Sequence, residues 1–289
     1  MKKRFTKFKP QVYSRHPSHA PLRLKGALEL LPFKSVVRFG SPTEVSDSIA
    51  KGGNRVELNT TSAIANSSNK RLMKECFTRA EVKTAMWWTY DSRVQIFIKS
   101  GIGDSGMSRA DLPYPIVAKH NFGSRGRGNT KINTAEEMQT WLSNNNRTHN
   151  FIFEVFHNFS REYRLHVSEH GCFYTCRKMI KSDTADEDKW FRNDSNSVWI
   201  LEDNESFDKP VNWDEVEEHC VKALKSVGLD FGAVDLKIQA ANSNGTPRTT
   251  CDFIVIEINS APSFGDITLE KYKEVLPQLL KTKREKQTV

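Results

Sequence analysis

The sequence predicts a mixed fold of helices and strands, of the α+β or α/β class, on three observations. Apolar residues recur at helical spacing in some stretches and alternate at strand spacing in others. Two long strand patterns, residues 232–240 and 250–258, flank Asn242-Ser243-Asn244-Gly245-Thr246-Pro247, which reads as a hairpin connection. The 289 residues carry no internal repeat and no low-complexity tract, so they form one large domain or a few small ones.

Taken in order, Ser35-Val36-Val37-Arg38-Phe39-Gly40-Ser41 reads as a short strand entering a turn, and residues 55–59 as another. Residues 66–80 read as one helix, with Leu72, Met73, Cys76 and Phe77 at helical spacing. An alternating strand over 94–99 leads into a loop with Gly101, Gly103 and Gly106. A buried strand over 115–120 opens into Asn121-Phe122-Gly123-Ser124-Arg125-Gly126-Arg127-Gly128. Thr134, with Glu137 three residues on, is a capping-box start for a helix over 134–144. Strand patterns follow over 151–156, 162–167 and 171–180, the last two joined by a turn at His170-Gly171. Residues 181–196 are polar and read as a loop. A helix over 214–227 stops at Gly228, and residues 269–280 form a closing helix.

No apolar run approaches the roughly 20 residues needed to span a bilayer. Residues 1–25 lack an apolar signal core, so a cytoplasmic protein with no membrane partner is expected. The five cysteines (Cys76, Cys172, Cys176, Cys220 and Cys251) include no CxxC pair and are expected to be reduced. The net charge of +8 is concentrated. Lys2, Lys3, Arg4, Lys7, Lys9, Arg15, Arg23 and Lys25 stand in residues 1–25 without an acid, which leaves 35 basic residues to balance 35 acidic ones. Lys281, Lys283, Arg284 and Lys286 form a second cluster near the end. Such arms suit an acidic or nucleic-acid partner. A solvated tail is the simpler account, since Phe5 and Phe8 alone supply aromatic interleaving.

The chemistry centres on Phe253-Ile254-Val255-Ile256-Glu257-Ile258-Asn259. Strand alternation puts Phe253, Val255, Glu257 and Asn259 on one face and Ile254, Ile256 and Ile258 on the other. Glu257 and Asn259 are then neighbouring oxygen donors of the kind a magnesium ion takes. A carboxylate in so apolar a strand is costly unless something pairs with it. Antiparallel pairing can bring Asp235, which shares a face with Lys237, beside them. Two readings stand: a magnesium cage with positions open to phosphate oxygens, or ion pairs of Asp235 and Glu257 with Lys237, Arg164 or Arg177.

Lys119 ends the buried strand Pro115-Ile116-Val117-Ala118-Lys119, where an anion would compensate it. The glycine loop that follows lets backbone amides approach phosphates. Its spacing is not that of a Walker loop, and Arg125-Gly126-Arg127-Gly128 also suits a flexible RNA contact. Phe151-Ile152-Phe153-Glu154-Val155-Phe156 can offer backbone groups and a ring to a flat heterocycle. Glu162 and Arg164 share a strand face, where a carboxylate accepts from ribose hydroxyls and a guanidinium clamps a phosphate. A surface ion-pair strand is the alternative.

In this order the Asn69-Lys70 helix start, Lys119 with its glycine loop, Phe153-Glu154-Val155-Phe156, Arg161-Glu162-Tyr163-Arg164, Asp235 and Glu257-Ile258-Asn259 resemble the ATP-grasp superfamily, over about residues 56–280. Glu162-Tyr163-Arg164, Arg177 and Phe191-Arg192-Asn193 are similar to the arginine-rich substrate side of its RimK-like, glutamate-ligase type members. The resemblance implies an α+β fold in which two subdomains clasp ATP between them. Residues 1–60 would form a basic arm and reduced pre-grasp region. Residues 61–150 would form the N-terminal subdomain with the glycine loop, and 151–289 the C-terminal subdomain with the magnesium site.

The same resemblance implies roles. Lys70 and Lys119 would contact ATP phosphates, and Ser124, Arg125, Gly126, Arg127 and Gly128 would close over them. Glu154, Val155 and Phe156 would bind adenine, and Glu162 the ribose. Asp235, Glu257 and Asn259 would hold Mg2+, as two ions. Arg164 and Arg192 would stabilise charge on the transferring phosphoryl group, with Arg177 and Asn193 close by. The implied activity is ATP-dependent ligation of a small-molecule or peptide carboxylate to an amine through an acylphosphate, releasing ADP and phosphate. A kinase of the same fold, or a binding module with a vestigial nucleotide site, are the other classes. The sequence departs from the family in the two loop arginines, in the short basic segment before Val56, and in Val234, where the D-alanine ligase branch has an arginine.

Overall fold

The computed structural model describes residues 6–15, 19–44, 55–99, 106–124, 126, 128–193, 195–241 and 245–287, with backbone only for 247–249. Among them the chain forms a small parallel sheet, two antiparallel sheets and the helices that cover them. The α+β class expected from the sequence is borne out.

Strands β1 (Gln11–Ser14), β2 (Ser35–Phe39) and β3 (Val56–Leu58) make the parallel sheet, in that order, with α1 (His19–Ala27) crossing between the first two. Every side chain of β2 is buried, although its sequence includes Ser35 and Arg38. Arg38 is tolerated there because its guanidinium donates to Glu57 at 3.3 Å and to the Thr43 carbonyl. β1 and α1 were not legible in the sequence: α1 contains Pro21 and buries only Pro21 and Leu24.

Residues 66–80 do not form one helix. The structure has α2 (Thr61–Ser68) and α3 (Lys70–Arg79), broken at Asn69, whose backbone is extended. The Asn69 side chain accepts from the N–H groups of Arg71 and Leu72, at 3.0 and 3.2 Å. Asparagine satisfies a new helix start better than it continues an old one, so the break falls on it.

A six-stranded sheet follows, in order β6 (Gly106–Met107), β5 (Ile96–Lys99), β4 (Trp87–Asp91), β9 (Phe151–Val155), β7 (Ile116–His120) and β8 (Thr130–Ile132). β9 thus belongs to this sheet and not to the one that follows it in the chain, because Glu154 and its neighbours pair with both β4 and β7. α4 (Ala135–Asn144) covers it, with Met138 and Trp141 on Phe153 and Phe151. The Thr134 cap forms as expected, accepting from the Glu137 N–H at 3.2 Å. Glu137 in turn accepts from the N–H of Asn133 rather than from that of the cap residue.

The last sheet has the order β12 (Ser197–Leu201), β11 (Gly171–Ile180), β10 (Arg161–Ser168), β13 (Phe231–Ala241) and β14 (Pro247–Asn259), all antiparallel. α5 (Trp213–Val227), α2 and α3 bury one face of it around Leu165, Leu236 and Val255. α5 ends at Gly228, whose φ of +81° suits a residue without a side chain. α6 (Asp266–Lys286) leaves this sheet and packs Tyr272, Leu276 and Leu280 against Leu24 of α1 and Phe39 and Val56 of the small parallel sheet. Asn59 closes that joint. Fully buried at φ +61°, it donates to the carbonyls of Arg38 and Phe231 and accepts from the Asp230 N–H at 2.8 Å.

Several residues of the basic clusters are paired within the molecule, while Lys2, Lys3 and Arg4 lie outside the described residues. Lys281, Lys283 and Lys286 pair with Glu29, Asp230 and Glu169, and Arg23 pairs with Asp266. All five cysteines are free thiols. Among the described residues no helix is long and apolar enough to cross a membrane.

Candidate active site

Two single-residue bulges set which side chains face the cleft between the two larger sheets. In β14 the register slips at Ile256, so Asp235 lies opposite Glu257 but Leu236 lies opposite Val255. Phe253, Val255 and Ile258 therefore point into the helix-covered core, while Ile254, Glu257 and Asn259 line the cleft. This corrects the uninterrupted alternation, which placed Phe253 and Val255 on the same face as Glu257. An extra residue reverses the phase of a strand.

The second bulge lies between His166 and Val167, where Phe173 is the extra residue of β11. Counted straight from the turn at Ser168 and Gly171, Arg177 would face Glu162. With the bulge, Lys178 takes that place and Arg177 moves opposite Tyr163. Arg177, expected near the catalytic arginines, is thus turned to the helix-covered side, where it pairs with Asp208. Lys178, which the sequence reading passed over, lines the cleft.

The floor of the cleft is a pair of charged rungs across the sheet. One runs Lys178, Glu162, Lys237 and the next Cys176, Arg164, Asp235, Glu257. Arg164 holds both oxygens of Asp235, at 2.7 and 2.8 Å, which strengthens its positive charge against the burial that opposes it. Asn259 donates one amide nitrogen to Asp235 at 3.1 Å and to Glu257 at 3.3 Å. The two carboxylates thus converge on one small position. Burial pushes the Glu257 carboxyl up, but Lys70 at 3.0 Å overrides it and holds the group well below the usual carboxylate range.

Glu162 sits among Lys178 at 3.9 Å, Arg192 at 3.6 Å and Lys237 across the ladder, with burial raising its carboxyl. Burial also drives Lys237 down to about 8. Arg192 reaches the Ser160 carbonyl at 3.0 Å. The Asn193 side chain accepts from the N–H groups of Ser195 and Asn196, so it shapes the turn that carries Arg192.

The opposite wall comes from the six-stranded sheet. Lys119 at the end of β7 pairs with Glu154 of β9, and Lys74 of α3 reaches the other oxygen of Glu154 at 3.1 Å. Burial pushes Glu154 up, but the two lysines outweigh it and bring the carboxyl down to about 2. The N–H groups of Val155 and Phe156 are given to the carbonyls of Met86 and Pro115. The Phe156 ring lies between the ammonium groups of Lys131 and Lys237, at 4.6 and 5.1 Å. Lys70 donates to the Gly123 carbonyl at 2.9 Å, which ties α3 to the glycine loop.

In that loop Ser124 and Gly126 line the cleft, and Gly126 and Gly128 have positive φ, +73° and +74°. Arg125 and Arg127 lie outside the described residues. Phe191 lies beside Gly126, where an added Cβ would stand in ordinary contact with its ring at 3.6 Å, and Trp190 stands edge-on to Phe156. Both aromatic residues lie in the stretch read as a polar loop, where the family resemblance marks Phe191 but not Trp190.

Together these walls enclose a cleft of about 680 Å³, closed at one end by residues 260–263 and by Ser14, Phe39 and Gly40 of the small sheet. A Cβ at Gly40 would lie 2.6 Å from that of Ala261, so only glycine allows this approach. The structure brings Lys70, Lys119, Ser124, Gly126, Glu154, Val155, Phe156, Glu162, Arg164, Arg192, Asn193, Asp235, Glu257 and Asn259 to this one cleft and leaves Gly128 and Arg177 out of its lining. Lys74 was missed, though its signal, a second lysine one turn after Lys70, is in the sequence.

The donors at the carboxylate end are oxygen-only: Asp235, Glu257 and, with its amide turned over, Asn259. Among the described residues no group of three or more His, Cys, Asp or Glu side chains could hold a metal. Two carboxylates and one amide suit a hard divalent cation that keeps other positions for phosphate or water, rather than a full protein cage.

No protein-family model matches the chain, and no curated protein matches it. Solved structures do. The chain is similar to D-alanine–D-alanine ligase from Bacillus anthracis complexed with ATP, at 12% identity and a TM-score of 0.60, over 96% of this chain and 98% of that one. An ATP-grasp ligase, PsnB, complexed with a minimal precursor matches at 13% identity and TM-score 0.55, over 95% and 98%. Carboxyaminoimidazole ribonucleotide synthase from Aspergillus clavatus, complexed with ATP, matches at 15% and 0.55, over 86% of this chain and 60% of that one. The chain has the ATP-grasp fold.

Proposed function

We propose that the chain is an ATP-dependent carboxylate–amine ligase. The observation that carries this reading is the convergence of Asp235, Glu257 and Asn259 on one wall of a cleft whose other wall presents Lys119. The fold adds to it, since the similar structures include ligases complexed with ATP. The RimK-like, glutamate-ligase subtype is proposed on Glu162-Tyr163-Arg164 and Phe191-Arg192-Asn193, with Arg177 now assigned to the sheet's far side.

In this reading Lys70 and Lys119 neutralise phosphate oxygens. Asp235 and Glu257 hold Mg2+, with Asn259 completing the protein donors, and the ion when bound offsets charge on the terminal phosphates. The N–H groups of Val155 and Phe156 are already donated within the protein, so adenine recognition at the hinge rests on other groups. Arg164 and Arg192 face the point where negative charge builds as the substrate carboxylate attacks the γ-phosphorus and ADP departs. The amine then attacks the acyl carbon and phosphate leaves. The Ser124 to Gly128 loop, with Phe191 against Gly126, keeps water from the acylphosphate. Of the three-part division, residues 1–60 border one end of the cleft through Ser14, Phe39 and Gly40, and β9, which the division gives to 151–289, stands in the wall otherwise built from strands of 61–150.

The test is release of ADP when carboxylates and amines are supplied in pairs, with mass detection of the amide. A stable phosphorylated product would instead identify a kinase. Glu257→Gln should lower ATP turnover by at least about a hundredfold with an unchanged circular dichroism spectrum. Near-normal turnover in that variant sinks the metal assignment.

A further inference from the structure

α3 carries two lysines one turn apart, and each takes one of the carboxylates that frame the cleft. Lys70 meets Glu257 and Lys74 meets Glu154. They differ in one respect. Lys70 lines the cleft, whereas Lys74 is only 1% exposed and does not. Its ammonium instead donates to Thr84, whose hydroxyl donates to the Val255 carbonyl at 2.7 Å. Lys74 therefore cannot touch a nucleotide, yet a buried lysine is costly to keep.

Glu154 stands between Lys74 and Lys119, one oxygen toward each. Burial pulls the Lys74 ammonium down and Glu154 supports it. With both lysines protonated, two ammonium groups against one carboxylate leave one positive charge, and of the two only Lys119 reaches the cleft. Without Lys74 the pair of Lys119 and Glu154 would be neutral, and Lys119 would present an ammonium already cancelled.

We propose that Lys74 is a positioning residue for polyphosphate: from behind the cleft wall it shares the charge of Glu154, so that Lys119 meets the nucleotide with its positive charge uncancelled. The assignment rests on the ATP reading above. Its consequence is selective. A charge supplied from behind acts on ligands in proportion to the negative charge they bring, whereas a packing role would weaken every nucleotide alike. At the effective dielectric of a partly buried site, one unit charge several ångströms away changes affinity by roughly tenfold or more.

The test is calorimetric titration of the full chain with ATP, ADP and AMP, in the wild type and in Lys74→Met, Glu154→Gln and the double variant, with thermal melts as a check on folding. Lys74→Met should lose roughly tenfold for ATP, less for ADP and at most about twofold for AMP. Glu154→Gln should raise the ratio of ATP to AMP affinity, and the double variant should return it toward the wild-type value. Equal losses for ATP and AMP, or no loss, overturn the proposal while leaving ATP binding in place. A wild-type chain that binds no ATP overturns the functional reading as well. Should Lys74→Met fail to fold, Glu154→Gln alone decides, and a lowered ratio overturns the proposal.

Discussion

His166 occupies the cleft-side face of β10 two residues beyond Arg164, and its Nδ1 lies 2.9 Å from the Tyr272 hydroxyl. Burial holds the Tyr272 phenol protonated, so the imidazole meets a neutral hydroxyl and no charge. Burial first, and the Arg164 charge second, push His166 down to about 3. The folded state therefore binds fewer protons than the unfolded chain between about pH 6.5 and 3, and stability must fall as pH falls through that window. Urea unfolding at stepped pH should show the fall, and His166→Gln should reduce its slope by up to about 1.4 kcal/mol per pH unit. An unchanged slope in the variant would mean that His166 titrates normally. Residue chemistry of this kind was only partly legible. Glu257, Asp235 and Lys119 stood out because a charge in an apolar strand needs a reason. His166 did not, because its reason, Tyr272, is far along the chain.

At the scale of elements, most strands and helices could be read from periodicity, and their faces could not. Both bulges, at Ile256 and at Phe173, add a residue that obeys the same apolar alternation as its neighbours. Nothing in the composition marks where the phase changes, so nothing corrects Arg177, named through the family resemblance, to Lys178, which lines the cleft. The break at Asn69 is different. Asparagine before Lys70 is a legible cap signal, and the family resemblance puts a helix start there while the apolar stripe runs through it as one helix. Asn69→Ala should cost about 1 kcal/mol in denaturant unfolding, through the two N–H groups it leaves without an acceptor. It should also loosen Lys70, the first residue of the new helix. A variant as stable as the wild type would show that the break is held by packing instead. β12 and the short strands β6 and β8 were invisible because they are brief and half-exposed, and pair only with neighbours already in place.

Across the whole molecule, the small parallel sheet is joined to the rest by an apolar cluster and by polar groups that differ in weight. Asp230 accepts from the Asn59 N–H at 2.6 Å and from Lys283 at 2.7 and 2.8 Å, joining β3, β13 and α6 at one carboxylate. Asp230→Ala should cost roughly 2–3 kcal/mol, since it orphans a backbone donor beside a cation. Lys281→Ala, which breaks a pair exposed on both sides, should stay within about 0.5 kcal/mol. Comparable losses in the two variants would mean that Asp230 is no such keystone. The sequence presented these lysines as a basic tail, because charge runs show composition and not partners. The overall architecture was legible only through the ordered motifs: no single pattern in the chain announces that β9 crosses to the earlier sheet.

The spacing of Lys70 and Lys74 along α3 has a further consequence. Four residues of helix advance about 6 Å, and that rise separates the lysine bound to Glu257 from the one bound to Glu154. A single rigid turn thus gauges the span between the Glu257 and Glu154 ends of the cleft. Side-chain substitution cannot stretch such a gauge. Inserting one residue between the two lysines would swing one of them about 100° around the axis, so the two walls keep their separation or lose one of their anchors altogether.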